Sequence, residues 1–394
     1  MTRKQPLLAF LPCYLAFLAR CPVRAQLPVG QAASRSASGP MQRWAGTPGI
    51  RAFRRKGRPL ARTWAALRRR VLTPSTSQTK LSRRGFHEKS PEATHLLEQA
   101  GATFLTGFAL AAEAHEPCNA ERGLDEVPRR FRGFAYEGAG MAFAIRDAIA
   151  PTRTRYNARF LQGRADSHIY LVYVGAGWAL GRVPPMLWKR AVNALPDPVY
   201  RWLILDGYGF HQAYFHTDKY VRGQFVRHDF PWPPQGPPAY ANRVIDQGIG
   251  RAMWFVNGAD PHRLADAVDT FPQSRRADLY AGASLAATYA GGLEEAELLV
   301  FKQRARHYLP EVAQASAFAA TARVRADLVV PHTELATRIL AGTTPQNAAR
   351  ICMDSLPDGS ESTPAGEPAF EVWRQRIAES LTSGKDAATA RDLR

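Results

Sequence analysis

Apolar positions along the chain recur mostly at helical spacing. Residues 91–114 (PEATHLLEQAGATFLTGFALAAEA) and 133–149 (GFAYEGAGMAFAIRDAI) both show it, and Pro151 ends the second. YANRVIDQGIGRAMWFVNGAD, LYAGASLAATYAGG and QASAFAATARVRADL continue the pattern. HIYLVYVGAGWAL, from His168, is apolar throughout, so periodicity fits a strand or a buried helix equally over 168–182. The proline-rich HDFPWPPQGPPAY at 228–240 predicts the clearest long loop. After Met353, DSLPDGSESTPAGEP predicts a flexible linker, followed by the short amphipathic helix FEVWRQRIAESL and a polar end.

Small residues four apart, which share one face of a helix, run through these blocks. They are Gly107 with Ala111, Gly138 with Ala142, Gly175 with Ala179, Gly209 with Ala213, Gly248 with Ala252, Gly282 with Ala286, and Ser316 with Ala320. Their starts lie 31, 37, 34, 39, 34 and 34 residues apart, within the range of helix-pair repeats. Chance alone yields about five such pairs at this composition. Their company adds weight, because an aromatic (Phe108, Phe143, Trp178, Phe210, Trp254 or Phe318) stands within a turn of nearly every pair. Small residues let helices approach while the ring fills the neighbouring groove. The fold expected is mostly α, built of stacked helix pairs with a period of roughly 34 residues. Residues 1–71 read as a disordered basic tail, 72–352 as one helical domain, and 353–394 as the linker with its terminal helix.

Charge separates tail from body. The net charge is +18, but residues 1–80 hold 16 Lys or Arg and no acid. That leaves 36 of the chain's 52 basic residues against all 34 acidic ones, so the body is nearly neutral and a nucleic-acid partner is not expected. The run RAFRRKGRPLARTWAALRRR reads as a solvated or weakly helical arm, and the tail is expected to be dispensable for folding. Residues 1–25 carry the grammar of a targeting segment, while Met41 offers an internal start. A cytoplasmic protein without a membrane span is expected, or an exported or organellar one if that segment is real. Four scattered cysteines, with no CxxC pair, argue against a disulfide framework or a structural zinc.

Candidate chemistry centres on LDGYGFHQAYFH, residues 205–216. His211 and His216 diverge by about 140° on a helix, so they cannot share a metal. His211 shares a face with Tyr208 and Phe215, and Asp206 stands where it could orient an imidazole. Glu137 and Asp206 each precede a Gly-x-Gly, and Asp246 stands two residues before another. Burial would raise such carboxyl groups and suit them to proton donation, while helix capping or pairing with Arg251 and Arg276 explains them as well. The catalytic candidates are therefore Asp206, His211, Glu137 and Tyr208. Trp178, Phe210, Trp254, His332 and Glu334 are binding candidates, although PHTELA also reads as an ordinary helix start. No dinucleotide fingerprint, phosphate loop, nucleophile elbow or HExxH motif is present, so neither metal nor cofactor is expected.

GFAYEGAGMAFAI, HIYLVYVGAGWALGR, LDGYGFHQAYFH, DQGIGRAMWFVNGAD, RRADLYAGASLAATYAGG and PHTELA, in that order, resemble the family numbered 1702 among the domains of unknown function. The likeness runs from about residue 72 to 340 and includes RRGF at 83–86. Members of that family are met mainly in bacterial enediyne biosynthetic gene clusters. The resemblance implies an accessory protein of polyketide biosynthesis that binds an apolar polyene intermediate or docks on an iterative polyketide synthase. The alternative it leaves open is an enzyme that isomerises or cyclises the polyene by acid–base chemistry in an aromatic pocket.

Overall fold

A computed structural model describes residues 59–231 and 237–392. Among them are seventeen α-helices and no named strand, as the mostly α expectation requires. The undecided apolar run is helix, Ile169–Leu180. The targeting segment, Met41 and part of the proline-rich loop lie outside the described residues. No helix among the described residues is long and apolar enough to cross a membrane.

Ten helices carry the architecture. They are α1 (Pro59–Leu72), α2 (Pro91–Glu113), α3 (Arg129–Ile149), α4 (Ile169–Leu180), α5 (Leu203–Phe215), α6 (Pro238–Val256), α7 (Gln273–Tyr289), α8 (Leu309–Arg325), α9 (Pro331–Leu340) and α10 (Ala369–Asp392). Helices α2 to α8 pack in sequence, each against the next. The helices Pro261–Asp269 and Glu295–Arg304 continue with α9 as an outer row beside α6 to α8.

Gly-x-Gly sets this packing. Residues two apart on a helix point about 200° apart, so the two glycines open opposite flanks. In α5 a Cβ on Gly207 would overlap the carbonyl oxygen of Val174 in α4, and one on Gly209 would overlap that of Ile245 in α6. Gly138 and Gly140, Gly175 and Gly177, and Gly248 and Gly250 do the same for α3, α4 and α6, the first glycine always facing the preceding helix and the second the following one. Helix α2 needs only Gly107, which meets Ala135 of α3. Partners run in opposite directions at these contacts (Phe104 with Gly138, Gly107 with Ala135), so α2 to α7 alternate up and down. Between α7 and α8 hydroxyls replace the glycines. Ser284 donates to the Val312 carbonyl at 2.7 Å and Thr288 meets the Ser316 hydroxyl at 2.8 Å, a parallel pair. The repeating unit is thus Gly-x-Gly rather than Gly-x-x-x-Ala, and Gly207, not Gly209, is the counterpart of Gly175.

The series curls because its far end returns to α3. Arg323 of α8 is 1% exposed and donates to the carbonyls of Arg130 (2.9 Å) and Tyr289 (2.6 Å). Its guanidinium also lies over the Tyr289 ring, which Phe134 of α3 meets edge-on. A buried arginine bound to carbonyls joins the start of α3 to the ends of α7 and α8.

Two expectations change at the edges. Residues 59–71 are not part of a free tail, because α1 packs on α2. Arg68 donates to the carbonyls of Ala112, Glu113 and Ala114, satisfying groups that a helix end leaves without partners. The helix after the expected linker is likewise built into the body. The Trp373 ring lies tilted against that of Phe318, centres 4.5 Å apart, and its N–H donates to the Cys352 carbonyl, while the buried Arg374 pairs with Asp278 and Glu371. Such long-range contacts leave no periodicity to read.

Gly207→Ala is expected to cost about 3 kcal/mol or more, because backbone cannot move aside as a side chain can. Gly123→Ala, where the new methyl meets only the flexible Leu110 side chain, should stay within about 1 kcal/mol of wild type. Equal midpoints in urea for the two variants would remove glycine contact as the organising feature. Arg68→Ala should lower stability by about 1–2 kcal/mol, and a protein beginning at Thr73 should melt below one beginning at Gly57. Identical melting of those two would show the expectation of a dispensable tail to be correct.

Candidate functional site

The glycine register decides what faces inward. Counted from the first glycine of each pair, the residue before it and the third after it are four apart and share a face. That face holds Glu137 and Met141 on α3, Val174 and Trp178 on α4, and Asp206 and Phe210 on α5. Arg251 on α6 and Leu285 on α7 occupy the later of the two positions. All of them line one cavity of about 130 Å³ inside the curl. Along α4 and the turn after it, the lining residues Tyr170, Val174, Trp178 and Arg182 are spaced by four. The cavity therefore runs roughly 18 Å, at 1.5 Å per residue.

Its walls are largely apolar, with Gln78 and Arg182 toward one end and a buried charged trio midway. Arg251 donates to Asp206 at 2.8 Å and reaches Glu137 at 3.4 Å, and the Trp178 indole N–H donates to the same Glu137 oxygen at 3.0 Å. The three ionisable residues are buried on three helices, so one guanidinium answers two carboxyl groups. Burial, opposed by Arg251 and aided by the Asp206 charge, pushes Glu137 up to about 7. Burial also raises Asp206, against the pull of Arg251. Near neutrality Glu137 can therefore hold or release a proton inside an apolar space.

The other candidates separate. Tyr208 lies between the two glycines of α5 and packs away from the cavity against Trp188 and Phe230. His211 lies on the flank toward α4, against Gly181, and its ring nitrogens have no hydrogen-bond partner among the described residues. Burial, with Arg182, His216 and Arg84 adding to it, holds the imidazole well below its ordinary value. Asp206 gives its carboxylate to Arg251, so the expected pairing with His211 does not form. The helix begins at Leu203, which places Asp206 inside it, and five residues of helix turn His211 about 140° away.

Trp178 and Phe210 line the cavity beside Glu137 and Asp206, whereas Trp254 donates to the Gly291 carbonyl and packs on Phe301. His332 bonds the Ala287 carbonyl at 2.7 Å, and Glu334 is exposed in the first turn of α9. Asp246 pairs with Arg275, and Arg276 donates to backbone carbonyls. Arg251 is the central residue of the trio, though local pattern marks it only as a partner for acids. Its place three after Gly248, matching Trp178 and Phe210, was the available signal. No three metal-ligating side chains gather among the described residues.

Glu137 binds a proton more tightly folded than unfolded, so its burial costs nothing below pH 4.5, where both states are protonated. The cost grows as pH rises from about 4.5 to 7 and is then constant, on the order of 3 kcal/mol. Glu137→Gln should therefore gain stability relative to wild type across that window. Urea midpoints that shift equally at pH 5 and pH 8 would show that Glu137 is ionised throughout.

No curated protein and no solved structure matches the chain. One family does, over residues 63–381, a span that takes in α2 to α9, the cavity trio and Trp373. The chain belongs to that family, described as "Protein of unknown function (DUF1702)".

Proposed function

We propose that this chain binds a linear, conjugated polyene of polyketide origin, as an accessory protein to an iterative polyketide synthase of the enediyne type. One observation carries the reading: a cavity a little over three helical turns long whose walls are largely apolar around one buried charged trio. An extended hydrocarbon chain fills such a space, whereas a sugar or nucleotide would leave its polar groups without partners along most of the wall. The likeness of the motifs to a family met in enediyne gene clusters supports polyene as the kind of chain.

A second reading, catalysis, draws on Glu137. A carboxyl group that titrates near 7 at an apolar wall is suited to deliver a proton to a polyene and to take one back, which would isomerise it. Asp206 and Arg251 would then position Glu137 and set its charge.

Diphenylhexatriene, a linear conjugated probe that fluoresces out of water, should bind saturably, one per chain. Val174→Phe, which fills the cavity, should weaken binding about tenfold, or about 1.4 kcal/mol, without lowering the melting temperature by more than a few degrees. A probe that does not bind, or that binds equally to the filled variant, would sink the binding reading. For catalysis, a synthase-released polyene is incubated with the protein and its absorption followed. A spectral change with wild type that is lost in Glu137→Gln supports the second reading, and an unchanged spectrum at saturation removes it.

A further inference from the structure

Hydrogen bonding in the buried trio is one-sided. Both bonds that Glu137 accepts, from the Trp178 indole at 3.0 Å and from Arg251 at 3.4 Å, fall on Oε1. Its Oε2 accepts none among the described residues, although the side chain is buried and lines the cavity. A buried carboxyl oxygen without a donor is costly, and this one stands beside a space that a ligand can enter. Its place along that space matters as much. On α4, Trp178 lies one turn from Arg182 and two turns from Tyr170, so the wall continues past Glu137 in both directions. A ligand group that meets Glu137 is therefore part-way along a chain and not at its end. Two acids to one guanidinium repel an anion from this point. An ammonium would meet an attractive charge, but it would first lose its water between largely apolar walls, which costs far more than stripping a hydroxyl. A carbonyl has no proton to offer. A hydroxyl supplies the missing donor at the smallest desolvation cost, and its bond to a carboxylate is about twice as strong as one between neutral groups.

Resting on the reading of the cavity as a polyene site, we propose that its ligand carries a hydroxyl part-way along the chain, and that this hydroxyl donates to Oε2 of Glu137. The apolar wall then selects a linear chain, and Glu137 selects one that bears an alcohol at a set position. The cavity thereby recognises an oxygenated chain rather than a plain hydrocarbon.

The test follows displacement of diphenylhexatriene from the full chain at pH 8 by two isomeric alcohols, dodecan-1-ol and dodecan-6-ol, which differ only in where the hydroxyl stands. Dodecan-6-ol should displace the probe at about one-tenth the concentration that dodecan-1-ol needs. Glu137→Met leaves Asp206 and Arg251 as a balanced pair, and it should bring the two alcohols to equal affinity, with a melting curve showing that the variant is folded. Isomers that act equally on wild type, or a preference that survives in folded Glu137→Met, overturn the hydroxyl assignment while the cavity reading stands. Dodecan-6-amine acting at a lower concentration than dodecan-6-ol overturns it as well, because the group recognised would then be a cation. Alcohols that displace nothing from a chain that binds the probe sink the hydroxyl alone. A chain that binds neither probe nor alcohol loses both readings together.

Discussion

Backbone touching backbone at glycine is the constraint on which the structure rests. A helix loses about 1 kcal/mol for each glycine in its interior, and four successive helices here accept that cost twice. What they gain is approach on both flanks, one glycine toward each neighbour. Once both flanks are occupied, a helix has only two faces left, one inward and one outward. The side chains that can line the cavity are thereby decided before any of them contributes chemistry.

The inward face is uncharged on every helix but three, and those three meet. Burying Glu137, Asp206 and Arg251 together is a poor means of gaining stability, because the desolvation of three ions offsets much of their attraction. Two acids for one base also leave a group that titrates near neutrality in a dry space. This is the balance expected of a site that handles a ligand or a proton rather than of a structural ion pair. The buried cluster around Asp278, Arg374 and Glu371 differs in kind. There Arg243 and Arg374 together answer the acids, Glu371 stays below its ordinary range, and the cluster ties α10 to the body.

Much of this was legible along the chain. Helical spacing, the small residues at intervals of about 34, the start of α9 at Pro331, and the choice of Glu137, Asp206, Trp178 and Phe210 are all matters of local pattern. Periodicity within one helix also separates the two faces beside each Gly-x-Gly. It carries no mark saying which of the two turns inward, and so Tyr208 and Glu137 had equal standing as site residues. His211 drew attention through its neighbours in sequence, yet its surroundings belong to α4.

The sequence by itself determined the helices, their small-residue flanks and the acids beside them, because caps, spacing and turn residues act over a few positions. Tertiary structure alone decided that the series curls, that Arg251 completes the trio, and that α1 and α10 belong to the body. Those outcomes depend on pairs such as Arg323 with Arg130, Arg68 with Ala112, and Trp373 with Phe318. The partners in each pair stand tens of residues or more apart, and no local preference of either one names the other.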